Sequence, residues 1–444
     1  MMKKSLKFYR GTILNPKSDT RCDFIADGVL VVSGAPGRAI LEDVLAWDAA
    51  QKKYAKKIRA ANTFDHRGSV FLPGFFDMHF HWVQDEVRTM PKDSLLEWLE
   101  RYTFPTEARF SDPVYSKTRA HEFFKHLSRV GTFGGAVFSS IHECALSAAM
   151  KEAKGDFVIG NVLMTMNSPK DLTQTEDQAI GLAEKMTRRF GKRYAFTPRF
   201  AISTSPRVMK KGAVFANRAR CFQQTHLSEN HEEIAFTLKL YRGFPGFEKI
   251  KSYTEIYQKV GMLGARTLMA HGIHLSDAEL KMLAKTRTAI VHCPTSNAPI
   301  AERGLGSGLF DFKKTERAGV RWALGSDIGG GPVLSMFDVM QSFVKQNQRA
   351  GKTGASCIKA LYRATLAGAE ILGVSKRTGN FKQGKDATFV VVPVPHRAGS
   401  KGTHQSAEAL LSMIFEVGAK NRDAQDDLIQ RSVFRGRVMV EEHS

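Results

Sequence analysis

The chain has 444 residues, room for one barrel-sized domain and an accessory one. With 43% hydrophobic and 25% charged residues it has the balance of a globular chain, which excludes disorder as the default. Lys and Arg outnumber Asp and Glu by 65 to 44, for a net charge of +21. The cations are nevertheless spread along the chain, with one short dense run from Lys52 to Arg59, so charge alone does not make this a nucleic-acid-binding protein.

No apolar stretch approaches the ~20 residues that span a bilayer, and the basic start MMKKSLKFYRGTIL lacks a signal-peptide core. Cys22, Cys144, Cys221, Cys293 and Cys357 form no C-x-x-C pair. That spacing suggests neither a thiolate zinc site nor a disulfide framework, and the expected location is a reducing cytoplasm.

In chain order, FYRGTIL, DGVLVVSG and GRAILED are short apolar runs punctuated by Gly, Asn, Pro and Asp, a strand-and-turn pattern. The same pattern returns in DATFVVVPV and SVFRGRVMVEE. The reading is a small discontinuous β-sandwich domain over 1–69 and 378–444, enclosing a domain over 70–377. That middle part holds eight β-branched-rich runs, near 70–82, 131–140, 157–164, 194–203, 221–229, 267–273, 288–294 and 321–328. Amphipathic stretches such as 277–285 and 333–345 lie between them. Strand and helix alternating eight times predict an α/β fold, a (β/α)8 TIM-type barrel.

The polar residues of these runs come late in them. In FLPGFFDMHFHWVQ, His79 and His81 are two apart on a predicted strand, so both project to one side. Arg199, His226, His271 and Asp327 close later runs, at the barrel end where such folds keep their chemistry. Three imidazoles and a carboxylate (His79, His81, His226, Asp327) suit Zn2+ and leave room for water. A metal there would bring the pKa of a bound water from 15.7 to about 7. Glu229, three residues after His226, is placed to move protons without binding metal. Asp327 is assigned a proton-accepting role besides ligation, and His271 is read as orienting water or substrate. His142, His274 and His292 are read as structural, and Cys293 as packing. Trp82 and Phe200 fit either base stacking or core packing. GGG at 329–331 has no following Lys-Ser/Thr, so it reads as a close backbone approach rather than a phosphate loop.

The blocks PGFFDMHFHWVQ, LLEWLERYTFPTE, YAFTPRFAIS, THLSENHEEI, LMAHGIHLS, VHCPTSN, GSDIGGG and GNFKQGKDATFVVV resemble the guanine deaminase branch of the amidohydrolase superfamily across most of the chain. That resemblance implies hydrolysis of guanine to xanthine and ammonia with one Zn2+ per chain, in a homodimer. It implies His79, His81, His226 and Asp327 as metal ligands and Glu229 as proton shuttle. Gln84 and Arg199 match purine-holding positions, with the backbone around His81, Trp82, Val83 and Gln84, and Phe200, lining the pocket beside His226, Glu229 and Asp327. Two-metal relatives place a carboxylated lysine at the end of the fourth strand, where this chain has Arg199, so a single metal is expected. Three segments depart from the pattern: 297–310 is longer, the eighth strand reads GSD for GTD, and 161–172 matches loosely. The alternatives are another amino-heterocycle (an oxidised purine, a pterin or a triazine), a barrel serving as a non-catalytic scaffold, and a nucleic-acid binder. No ligand is missing for catalysis, and polynucleotide deaminases carry an H-x-E and a P-C-x-x-C signature, whereas here His142 and Glu143 are adjacent and VHCPTSN has no second cysteine at that spacing.

Overall fold

The computed structural model describes residues 5–92, 94–394 and 406–441; the first residues of the basic N-terminus lie outside that range. Contacts divide the chain into two units, Met1–Phe76 with His126–Gly134 and Val333–Ser444, and Asp77–Lys125 with Gly135–Pro332.

The first unit carries a seven-stranded sheet drawn from both ends of the chain. Its order is Arg437–Glu441, Arg431–Phe434, Phe389–Pro393, Thr63–Pro73, Leu6–Pro16, Cys22–Ser33 and Ile40–Ala46. Leu6–Pro16 and Thr63–Pro73 run parallel, and the other pairings are antiparallel. Side chains alternate along each strand, so one sheet serves two cores. Tyr9, Leu30, Val32, Phe71 and Phe389 pack on one face. Phe8, Val29 and Val31 pack on the other, against Trp47 and Tyr54 of the helix Trp47–Tyr54. This is the small terminal β-domain expected from the apolar runs.

The second sheet has eight strands in sequence order: Phe75–His81, Thr132–Ser139, Asp156–Leu163, Ala195–Pro198, Phe222–Leu227, Thr267–His271, Ala289–His292 and Arg321–Leu324. Its registered pairs are parallel, with Met269 opposite both Thr225 and Ile290. The last strand's exit returns to the first: the Asp327 N–H donates to His79 O at 2.7 Å and the His81 N–H to Ile328 O at 2.5 Å. These bonds close the predicted (β/α)8 barrel. Gly135 is needed where the second strand crosses the first, since a Cβ there would lie 1.8 Å from Asp77 O.

Strand limits differ from the sequence reading where proline intervenes. The run 70–82 breaks at Pro73–Gly74: Thr63–Pro73 joins the terminal sheet and Phe75–His81 opens the barrel. The run 194–203 keeps only Ala195–Pro198 as strand. A proline has no N–H to continue a ladder. All five cysteines are free, and among the described residues no helix is long and apolar enough to cross a membrane.

Candidate active site

Alternation along Phe75–His81 puts Asp77, His79 and His81 on one side of the strand, while Phe80 turns outward and stacks on Phe123, ring centroids 5.8 Å apart. His226 is the penultimate residue of its strand, His271 the last of the next, and Asp327 follows the eighth by three. Their side chains converge. His79 Nε2 lies 3.1 Å from Asp327 Oδ1, and His81 Nε2 lies 3.7 Å from that oxygen. His81 Nε2 is 3.2 Å from His226 Nε2. One donor atom each from His79, His226, His271 and Asp327 falls within 4.8 Å of the others. His271 and Asp327 hold left-handed backbone, φ 70° and 52°, a strained conformation for non-glycine residues that concentrates at functional sites.

The donor set fits a metal ion. His226 Nδ1 lies 2.5 Å from the Arg199 carbonyl, so its proton sits on Nδ1 and the Nε2 lone pair faces the centre. His79 Nε2 and His271 Nε2 are buried with no hydrogen-bond partner, although the Asp327 oxygen is close to the first. Burial alone would leave such atoms costly; a cation would satisfy the first, and a water or substrate beside it the second.

Electrostatics favour the same state. Burial holds the His79 imidazole below its ordinary range. Burial and the neighbouring imidazoles hold His81 and His226 well below it, so these rings are neutral. Burial would raise the Asp327 carboxyl, but the His79 contact and the surrounding imidazoles outweigh it and keep the group ionised. Burial likewise opposes charge on His271, yet the carboxylates of Glu229 and Asp327 raise its pKa. Glu229 is raised by burial.

Beside this cluster a cleft is lined by His81, Gln84, Arg199, Phe200, His226, Glu229, His271 and Asp327, together with Trp98, Leu99, Glu233, Leu305 and Gly330. Trp82 and Val83 are not among the lining residues. The Trp82 ring turns into an aromatic cluster with Phe110, at 4.9 Å, and Phe124, at 6.0 Å. The chain leaves the strand at His81 into the turn Trp82–Val87, which rotates the alternation away. Gly331 crosses so close that a Cβ would meet Ser326 O at 2.0 Å, the tight backbone approach read from GGG. Among the histidines read as structural, His274 Nε2 contacts Ser307 O at 2.9 Å, and His292 stacks on Phe310.

The amidohydrolase family model matches residues 70–422. This chain belongs to that family. It is similar to the guanine deaminase of Escherichia coli strain K12, 32% identical over 443 residues that cover 97% of this chain and 95% of that protein. It is also similar to a probable guanine deaminase of Deinococcus radiodurans, 34% identical, covering 93% and 95% of the two chains. The solved guanine deaminase of C. acetobutylicum with guanine bound superposes with a TM-score of 0.82 at 28% identity, covering 98% of this chain and all of that one.

Several side chains of this amidohydrolase's site escaped the sequence reading. Asp77 accepts from Ser326 N at 2.8 Å and Ser326 Oγ at 2.5 Å, bracing the residue before Asp327. Asn297 Nδ2 and Ser307 Oγ donate to Glu229 Oε1 at 3.3 and 3.0 Å. Ser307 and the cleft-lining Leu305 belong to the 297–310 segment that the sequence marks as longer. Glu233, on the helix His231–Tyr241, accepts the Glu229 N–H at 2.7 Å. Glu107, wholly buried, binds both Gln84 and Arg199.

Proposed function

We propose that the chain hydrolyses guanine to xanthine and ammonia, with a single zinc ion per chain held by His79, His81, His226 and Asp327. The observation that carries the reading is the cleft itself. Convergent imidazoles and a carboxylate stand at one end, a buried glutamate beside them, and Arg199 and Gln84 face the same space. The ion would supply the Lewis acidity that makes water a nucleophile at neutral pH. In the reaction a C2–O bond forms, the C2–N bond breaks, and the two protons of the attacking water must be moved, one to the ring N3 and one to the amino group, which leaves as NH3.

Glu229 is the group placed to carry them. Its Oε1 is fixed by Asn297 and Ser307, and its Oε2 faces His271 Nε2 at 3.6 Å. That contact supports the reading of His271 in water orientation and proton transfer, with His81, whose Nε2 faces His226 and Asp327, as the third imidazole ligand. Asp327 serves as ligand and as first acceptor of the water proton. Arg199, with Phe200 on the wall, holds the purine edge together with Gln84.

We carry with this reading a barrel domain over 70–377, a homodimer, a cytoplasmic location and no nucleic-acid partner. Light scattering, cell fractionation and DNA titration test the last three. The function itself is tested by ammonia release from guanine, adenine, cytosine, 8-oxoguanine and pterins. Guanine is expected to be the preferred substrate. Preference for a pterin or an oxidised purine would move the chain to another amino-heterocycle, and release from none would remove the catalytic reading.

A further inference from the structure

Glu107 lies in the short helix Phe104–Ala108, is fully buried and does not line the cleft. Both its oxygens are engaged by side chains that do. Gln84 Nε2 donates to Oε1 at 2.7 Å, and Arg199 Nη1 donates to Oε1 and Oε2 at 2.9 and 2.8 Å. The ion pair is almost wholly shielded, the two side chains being 4% and 1% exposed. The Phe104 ring stands 5.3 Å from the guanidinium, fixing its plane.

An ionised carboxylate only accepts hydrogen bonds. Whatever faces Glu107 must therefore be a donor, and the orientation of the Gln84 amide follows. Its nitrogen is spent on Glu107, and its oxygen points the other way, where a Cβ on Gly329 would come within 3.1 Å of it. The next residue, Gly330, lines the cleft. Arg199 spends Nη1 on Glu107 and, among the described residues, keeps Nη2 and Nε without a protein partner. On this side the cleft thus offers an acceptor, Gln84 Oε1, beside a block of donors, Arg199.

We propose that Glu107 is a positioning residue that sets this polarity and so selects rings bearing a lactam edge, an N–H next to a C=O. This inference rests on the purine reading of the site and adds to it the residue that chooses between edges. Guanine and hypoxanthine present N1–H and C6=O. Adenine presents the reverse, a bare N1 and a C6 amine, which places acceptor against acceptor and donor against donor. Glutamine at position 107 removes the constraint. Its amide both gives and accepts, so Gln84 is free to turn its NH2 into the cleft.

The test is calorimetric binding of hypoxanthine and adenine, which lack the 2-amino group, with guanine turnover and metal content read in parallel. The wild type is expected to favour hypoxanthine. E107Q, with metal content unchanged, is expected to narrow that ratio about 5- to 150-fold, the range for one bidentate pair. The exchanged pair Q84E/E107Q restores an acceptor in the cleft. The amide introduced at position 107 donates to one oxygen of the carboxylate introduced at position 84 and leaves the other oxygen facing in. The exchanged pair is expected to recover most of the preference. A hypoxanthine-to-adenine ratio equal in wild type and E107Q overturns the proposal, as does an exchanged pair that folds, holds metal and recovers nothing. If E107Q does not fold, the exchanged pair decides alone by the same criterion. A wild type that favours hypoxanthine but releases no ammonia from guanine refutes the proposed reaction and leaves the role of Glu107 standing.

Discussion

Glu233→Gln is expected to stabilise the protein at neutral and alkaline pH and to leave it unchanged in acid. Burial, then the charge of Glu229, lifts the Glu233 carboxyl from 4.5 to about 7, against the opposing bond from the Glu229 N–H. Its Oε1 is buried with no hydrogen-bond partner. The folded chain therefore keeps a proton that the unfolded chain releases. Below pH 4.5 both states are protonated and the group costs nothing. Between 4.5 and about 7 stability falls as the unfolded state ionises, and above about 7 the loss is complete. At 1.36 kcal/mol per pH unit, that interval amounts to about 3 kcal/mol. Glutamine keeps an oxygen to accept the Glu229 N–H and has no charge to bury, so it should lift the penalty. For a unit the size of 77–125 with 135–332, 1 kcal/mol moves Tm by about 2–4 °C. The expected gain is roughly 6–12 °C at pH 8 and none at pH 4. Thermal melts of both proteins across pH 4–8 at equal metal content measure it. Parallel Tm curves, or a variant less stable at pH 8, would show that Glu233 is not a proton-retaining group in the folded chain.

Glu229→Gln should keep its metal and lose about 100- to 10,000-fold in turnover; loss of metal instead would make Glu229 a ligand. Arg199→Ala should erode guanine-over-adenine discrimination in kcat/KM by about 5- to 150-fold with metal occupancy little changed; an unaltered ratio would remove Arg199 from base recognition. His81→Ala should deplete the metal, whereas His271→Ala should retain it and slow turnover. Elemental analysis showing the opposite pattern would exchange the two assignments, which the convergence of His79, His226, His271 and Asp327 within 4.8 Å makes a sharp comparison.

Much of this site was legible because strand geometry is periodic. His79 and His81 share a face by spacing alone, and His226, His271 and Asp327 declared themselves by ending apolar runs. What periodicity does not carry was lost. Trp82 begins a turn, so alternation no longer says which way it faces. Glu107 lies 23 residues after Gln84 and 92 before Arg199, in a five-residue helix with no repeating pattern. Its only trace in the sequence was an acidic residue inside the narrow FPTE block. Ser307 reaches Glu229 from a loop whose extra length was visible and whose path was not. The apolar run does not show where the first barrel strand starts, because Val70 to Pro73 and Phe75 to His81 are equally apolar. Only the Pro-Gly step between them marks the passage from one sheet to the next.

A one-metal hydrolytic deaminase has a distinct signature when zinc is titrated into the chelated protein. Ammonia release from guanine is measured against zinc added per chain. The expected curve starts at no activity without metal, rises linearly and saturates at about one equivalent. Full activity in the chelated protein, saturation only at two equivalents, or no guanine turnover at saturating zinc would contradict it.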